Sequence, residues 1–421
     1  MRISVVGTGY LGATHAACLA AWGHEVVGID RDRDRIASLR AGRVPFHEPG
    51  LDELIGGVRF ADDPAEVAGC DLHFLCVGTP QAADGSADLS ALDEAVAAIA
   101  PHVRPESLVV GKSTVPVGTA STLAPRLGRL AWNPEFLREG SAVHDTLHPD
   151  RLVFGVQDPD DVADLRAVYA VPIDEGVPVV TTDLPTAELA KVSANLLLAT
   201  RLSVVNVLAE VCERSGADVA DLVEVLGLDE RIGARMLTPG LGYGGGCLPK
   251  DSRAFGHRGR ELGVEAARRL VDVVDDINLH QRSRAAETAM ALVDGVSEPT
   301  VAVLGAAFKP GTDDIRDSPA VDVARRVAAA GPRVVVYDPW ANRHVRHHEP
   351  LLAVADDAER ACEGADAVLV LTDWPEFRDL DPDRLRRVVR RPRVLDGRHA
   401  IDAAKWRAAD WQVTVLGRPR S

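Results

Sequence analysis

Residues 2–7, RISVVG, form a short apolar run that passes directly into G7-x-G9-x-x-G12. A helix-like segment, ATHAACLAAWGH, follows, and then a second apolar run, EVVGID, that ends in Asp30. Strand, tight glycine turn, helix and strand in that order constrain the fold more than any other stretch of the chain. Gly7 makes the turn, Gly9 lets the backbone approach a pyrophosphate, and Gly12 allows helix and strand to pack closely. The helix N-terminus offers unpaired N–H groups and the positive end of its dipole to phosphates. Asp30, 23 residues after Gly7, is spaced to accept from the adenosine ribose hydroxyls. Its charge disfavours a 2′-phosphate, so NAD is expected rather than NADP, with Arg31 and Arg33 as the opposing feature.

The alternation continues. CDLHFLCVGTP and SLVVGKSTVP read as strands with polar ends, each followed by a helical segment. Parallel α/β sheets hold ligands at the carboxyl ends of their strands, which points to Thr79, Ser113, Thr114 and the segment WNPEFLREG. From Leu184 to Gly216 the pattern becomes one long apolar helix, expected to pack against another domain or subunit. Within it Lys191 and Asn195 lie four apart and share a face. At Pro299 a second α/β unit begins with TVAVLGAAFKPGTDD, where Gly305 is followed by Ala306, Ala307 and Phe308. Lacking the first unit's glycine spacing, it is expected to take a different phosphate-bearing ligand, with Lys309 as a point charge. The expected fold is therefore α/β. Two Rossmann-like, doubly wound parallel-sheet domains (1–183 and 298–421) are joined by a central helical domain over 184–297, and 421 residues suit such a division.

Composition excludes several classes. A formal net charge of −16 opposes a general nucleic-acid binder, which needs Lys and Arg to displace counterions. The basic run RLRRVVRRPR at 384–393 reads as a solvated helix followed by a strand. The six cysteines are scattered without CxxC or zinc spacing, so neither a disulfide framework nor a metal is expected. His144 and His148 read as surface or capping residues. No apolar run is read as long enough to span a bilayer, and no signal peptide is recognised. A cytoplasmic location and no membrane partner are expected.

One stretch stands apart: LGYGGGCLPKD, Leu241 to Asp251, sets Cys247 behind a run of glycines and ahead of a Lys-Asp pair. Glycine at that density costs chain entropy, so the backbone must be needed in an unusual conformation or close to a ligand. Taken alone, the cysteine reads as an ordinary buried thiol rather than a nucleophile.

GTGYLG, CVGTP, KSTVPVGT, NPEFLREGSA, DRLVFG, AELAKVSAN, ERIG, GYGGGCLPKD, AAFKPGTDDIRDSP and DGR occur in order from residue 7 to residue 398. On these motifs the chain resembles the UDP-glucose/GDP-mannose dehydrogenase family over nearly its whole length. The resemblance implies a four-electron, NAD-dependent oxidation of the C6 alcohol of a nucleotide-linked hexose to the carboxylate, with UDP-glucose the favoured substrate and UDP-glucuronate the product. Sister enzymes acting on GDP-mannose, UDP-N-acetylmannosamine or UDP-N-acetylglucosamine are the alternative. A β-hydroxyacid dehydrogenase and a non-catalytic NAD-binding redox sensor are more remote ones.

By the same resemblance Cys247 is the nucleophile, and Lys191 and Asn195 hold a developing oxyanion. Asp251 works with the lysine and a water in proton transfer. Thr114 and Glu135 position that water, with Glu135 the base in thioester hydrolysis. NAD contacts fall on Gly7, Gly9, Tyr10, Leu11, Asp30, Arg35, Thr79, Thr114 and Arg316, Arg35 standing where many members carry Lys. Nucleotide-sugar contacts fall on Phe136, Leu137, Arg138, Lys191, Asn195, Tyr243, Gly244, Lys309 and Arg398. Arg231 of ERIG matches a residue that reaches the neighbouring subunit's substrate, which implies a homodimer.

Overall fold

The computed structural model describes residues 1–419. The chain separates into two compact units, Met1–Asn195 with Lys250–Arg268, and Leu196–Pro249 with Arg269–Ser421.

The first unit holds an eight-stranded sheet of β1 (Arg2–Val6), β2 (Glu25–Ile29), β3 (Arg59–Ala61), β4 (Leu72–Leu75), β5 (Leu108–Gly111), β6 (Leu130–Trp132), β7 (Leu152–Val156) and β8 (Val179–Thr182). Their order is β3-β2-β1-β4-β5-β6-β7-β8, reversing between β1 and β4 as a doubly wound sheet does. β1 is buried at every position after Arg2, and β4 and β5 throughout, because helices cover both faces. Separate apolar clusters therefore form on the two sides, one around Ile3, Phe74 and Phe154, the other around Leu75, Val109 and Trp132. Gly111 admits the Trp132 ring, since a Cβ there would lie 2.5 Å from Cη2.

One feature departs from the all-parallel expectation: β6 and β7 are antiparallel. Their connection, residues 133–151, carries only the short helix Ala142–Leu147. It does not cross the sheet, so β7 starts where β6 ends. The beginning of β7 thereby joins the ligand-facing carboxyl rim.

The second unit holds β9 (Thr300–Leu304), β10 (Arg333–Tyr337), β11 (Ala353–Val354), β12 (Ala367–Val370), β13 (Arg393–Asp396) and β14 (Gln412–Val415). All are parallel, in the order β11-β10-β9-β12-β13-β14, the first unit's winding repeated over a single large core. The basic run at 384–393 forms the short helix Pro382–Arg386 and leads into β13.

Three helices connect these sheets along the sequence: Leu184–Ser215, Leu248–Glu261 and Glu265–Leu292. The first corrects the expectation about bilayer-length segments. It has 32 residues and contains an 18-residue stretch of mean hydropathy 1.5, enough by length and composition to cross a membrane. Lys191 and Arg201 interrupt the apolar run along the sequence, so no unbroken stretch marks it. Its polar residues are used inside the protein. Glu188 accepts from the Gly118 and Ala120 N–H groups (2.7 and 2.6 Å), and Asn206 accepts from Gly240 N–H (2.8 Å).

Candidate active site

At the first glycine turn Gly7 has φ +90°, and a Cβ on Gly12 would lie 2.9 Å from the Gly7 carbonyl carbon, so both glycines are required. A Cβ on Gly9 would meet nothing within 4 Å, leaving open space over the N-terminus of the helix Tyr10–Ala21. This is the cradle a pyrophosphate needs. Asp30, directly after β2, accepts from Thr8 N–H (2.7 Å), Thr8 Oγ1 (3.2 Å), Asp32 N–H (3.0 Å) and Arg35 Nη1 (2.9 Å). Burial works against its charge, but these donors outweigh it and hold the carboxyl below its usual range. Arg31 pairs with Glu94 and Arg33 with Asp62, so both arginines that opposed NAD are engaged by carboxylates. The residues present fit NAD.

Further along the rim the Thr79 hydroxyl donates to the Thr114 carbonyl (2.6 Å), joining two expected site residues. Lys191 Nζ meets Glu135 Oε1 at 2.8 Å, and Glu135 Oε2 accepts from Leu137 N–H (2.6 Å). Burial raises the Glu135 carboxyl, while Lys191, the Leu137 N–H and Lys112 together bring it below the ordinary glutamate value. The carboxyl is buried and held towards its ionised form. One turn after Lys191, Asn195 Nδ2 donates to Asp251 Oδ2 (2.6 Å), and Lys250 Nζ meets the other oxygen at 2.5 Å. A shallow pocket in this unit is lined by Thr79, Thr114, Val192, Lys250 and Asp251.

Phe136 lies under two cations, with the Arg151 guanidinium 3.8 Å and Lys191 Nζ 5.9 Å from its ring centre. Arg138 is held by Asp145 (2.6 Å) and is mostly exposed. Tyr10 OH donates to the buried Glu48, which also accepts from Gly140 N–H (2.7 Å) and Val143 N–H (3.2 Å). That carboxylate ties the loop after Leu137 to the cofactor helix. His144 and His148 are exposed, as expected.

In the second unit the glycine-rich loop is packed, not loose. A Cβ on Gly244 would lie 2.7 Å from Pro319 Cδ, on Gly245 2.7 Å from the Phe308 ring, and on Gly246 2.5 Å from Arg316 Cζ. Tyr243, just before them, is clamped through its backbone. Its N–H donates to Asn278 Oδ1 (2.8 Å), and its carbonyl accepts from Asn278 Nδ2 (3.0 Å) and Arg282 Nη2 (2.8 Å). Arg282 also reaches Asp317 Oδ1 (2.6 Å), which has φ +46°. Arg398 donates to the Gly242 carbonyl (3.0 Å) and the Leu371 carbonyl (3.1 Å), and burial lowers its guanidinium to about 10. Lys309 lies 5.6 Å from the Phe308 ring centre, and Arg316 pairs with Asp314 (2.7 Å).

Cys247 ends this loop and immediately precedes the helix Leu248–Glu261. It is half-buried, whereas the other five cysteines are buried. Burial pushes the Cys18, Cys76 and Cys362 thiols up to about 12, which leaves them inert. A helix N-terminus favours a thiolate.

The turn after β9 has the first unit's shape. Gly305 takes φ +105°, and Asp338 Oδ2 accepts from the N–H groups of Ala306 (2.8 Å) and Ala307 (2.9 Å) and from Trp374 Nε1 (3.0 Å). Asp338, directly after β10, thus engages this turn as Asp30, directly after β2, engages Thr8 N–H in the first unit. Arg231, expected at a neighbouring subunit, is exposed and pairs with Asp229 (2.6 Å). Sequence reasoning missed Glu48, Lys112, Asn278, Arg282 and Asp338. For Asn278 and Arg282 a signal existed: two polar residues four apart on one face of an otherwise amphipathic helix.

The glycine turn, the open helix N-terminus and Asp30 define the first unit as a dinucleotide-binding one. Comparison with known proteins narrows the class. Residues 1–173, 185–280 and 302–403 match the NAD binding, central and UDP binding domain models of the UDP-glucose/GDP-mannose dehydrogenase family. UDP-glucose 6-dehydrogenase YwqF of Bacillus subtilis is 37% identical over 99% of this chain and 98% of its own. A UDP-glucose dehydrogenase structure from Pyrobaculum islandicum superposes with a TM-score of 0.89 at 37% identity, covering 98% of this chain and 96% of its own. A UDP-D-ManNAc dehydrogenase structure from Pyrococcus horikoshii gives 0.86 at 27% identity, with all of both chains covered. The chain belongs to the UDP-glucose/GDP-mannose dehydrogenase family and is an NAD-dependent nucleotide-sugar dehydrogenase.

Proposed function

We propose that the substrate is UDP-glucose and that its C6 alcohol is oxidised to UDP-glucuronate through a thioester on Cys247. The observation that carries the mechanism is the single half-buried thiol at a helix N-terminus, in a chain whose other cysteines are buried. UDP-glucose is favoured because the 37%-identical relatives named above are UDP-glucose dehydrogenases, against 27% for the UDP-D-ManNAc enzyme.

In this reading Gly7, Gly9, Tyr10, Leu11, Asp30, Arg35, Thr79, Thr114 and Arg316 hold NAD, which supplies a hydride acceptor when bound. Phe136, Leu137, Arg138, Tyr243, Gly244, Lys309 and Arg398 hold the nucleotide sugar. The C6 carbon gives up a hydride while its hydroxyl gives up a proton by way of a water set between Lys191 and Asp251, and the alcohol becomes an aldehyde. The Cys247 thiolate adds to the carbonyl carbon, and Lys191 and Asn195 donate to the oxyanion of the resulting thiohemiacetal. Loss of a second hydride leaves a thioester. Glu135 takes a proton from a water positioned with Thr114, that water attacks the thioester carbonyl, and the thiolate leaves with the carboxylate formed.

The same reading keeps three domains, 1–183, 184–297 and 298–421, in line with the three family models. It also takes the protein as a homodimer. Leu197, Val204, Val207 and Val211 leave an apolar stripe exposed on the long helix, between 42 and 69% accessible, as an interface core would be. Arg231 would then serve the partner's substrate.

Separate assays with UDP-glucose, UDP-N-acetylglucosamine, UDP-N-acetylmannosamine and GDP-mannose test the substrate. UDP-glucose is expected to give two NADH per sugar consumed with the highest kcat/KM. Two from another sugar alone would move the chain to a sister activity, and one NADH would mean that the aldehyde escapes.

A further inference from the structure

Lys112 directly follows β5 and is 6% exposed, yet it lies within ion-pair distance of no carboxylate among the described residues. Its Nζ donates to Asn133 Oδ1 (2.9 Å) and Tyr169 OH (3.2 Å) and lies 5.8 and 5.6 Å from the ring centres of Phe74 and Tyr169. The Tyr169 hydroxyl donates to the same Asn133 oxygen (2.5 Å). Asn133 is stitched to both neighbouring strands, donating from its N–H to the Gly111 carbonyl (2.8 Å) and from Nδ2 to the Val153 carbonyl (2.9 Å).

A buried ammonium among aromatic rings, with no carboxylate to pair it, is costly. Its retention therefore calls for a use. Two residues beyond Lys112 lies Thr114, and two beyond Asn133 lies Glu135. The Lys112–Asn133 bond thus locks together the ends of β5 and β6, which carry the two residues assigned to the hydrolytic water. The charged or titratable groups facing the ammonium are His15 on the cofactor helix, Cys76 after β4, Tyr169, Glu135 and Lys191. Of these only Glu135 is a carboxylate, and Lys112 and Lys191 act on it in the same direction.

We propose that Lys112 is a positioning residue for thioester hydrolysis: through Asn133 it fixes the strand end that carries Glu135, and its charge supports the Glu135 carboxylate when Lys191 turns to the substrate oxyanion. The inference rests on Glu135 being the base. Burial lowers the ammonium to about 8, so it is still charged at neutral pH.

The test uses full-length enzyme with NAD and UDP-glucose, measuring kcat and KM against pH, NAD affinity and thermal melting. Lys112→Gln keeps a donor for Asn133 and drops the charge, so the acid limb of kcat moves to higher pH with the plateau nearly unchanged. Lys112→Met loses both, so the limb moves and the plateau falls by roughly tenfold, part of what a general base contributes. Lys112→Arg keeps the charge and leaves the limb in place. A lowered plateau or melting point with the limb unmoved in both Gln and Met variants would mean a structural role only and overturn the proposal. Glu135→Gln separates the two failures: if it loses the limb while the Lys112 variants keep it, only the Lys112 inference falls. If Glu135→Gln itself turns over like wild type, the base assignment falls and takes this inference with it.

Discussion

Gly244→Ala tests whether the glycine-rich loop is a packed support for Cys247. A methyl at Gly244 would lie 2.7 Å from Pro319 Cδ and closer still to the Asp317 carbonyl oxygen. Ordinary contact is roughly 1 Å longer, and the obstacles cannot swing aside. Asp317 is backbone held by Arg282, and Pro319 is the first residue of a helix. The loop must therefore move by about 1 Å, at a cost of about 1–3 kcal/mol, as for other overpacked sites. A shift of that size in a group three residues from the nucleophile is worth about a hundredfold in kcat. NAD affinity reports separately on Arg316, the one proposed NAD contact that packs on this loop, through the Gly245 N–H to Arg316 carbonyl bond (2.9 Å). Steady-state kinetics, NAD titration and a melting curve measure all three. Gly263→Ala is the control, with φ +77° and nothing within 4 Å of its Cβ. It should cost about 1 kcal/mol of backbone strain and leave kcat alone. Wild-type kcat and melting in Gly244→Ala would refute the reasoning.

Asp30→Ala removes the acceptor for the ribose and leaves Thr8 N–H and Arg35 without their partner, so NAD affinity should fall by roughly 10- to 100-fold in fluorescence titration, the worth of a charged hydrogen bond. Acid stability should follow the buried histidines. Burial lowers His73 to about 4, so between pH 6.5 and 4 the unfolded chain binds the extra proton and stability falls as pH falls. His73 contributes about 3 kcal/mol to that fall, and His73→Leu should flatten the difference between urea midpoints at pH 7 and pH 4.5.

The first unit was legible because its signals are local. A glycine spacing, two apolar runs and one acid at the right distance suffice to place Gly7, Gly9 and Asp30. Helical spacing put Lys191 and Asn195 on one face, but did not show their partners Glu135 and Asp251, each 56 residues away in sequence. What stayed hidden depends on residues far apart in sequence. Glu48 reaches Tyr10 from 38 positions away, and Arg282 reaches Tyr243 from 39. Asp338 engages the second glycine turn from 31 and 32 residues beyond it. The antiparallel β7 was missed because strand direction is set by how the connection returns, and the β6–β7 segment carries no crossing helix long enough to mark it. The density of glycine before Cys247 was noticed, but its cause, contact with Pro319, Phe308 and Arg316, is tertiary.

The account stands most directly on Cys247, and the measurement that tests it is sugar-acid formation by Cys247→Ser with UDP-glucose and NAD, with NAD binding followed in the same sample. The account predicts unchanged NAD binding and no net UDP-glucuronate, because no thioester can form. Acid formation at the wild-type rate would contradict it.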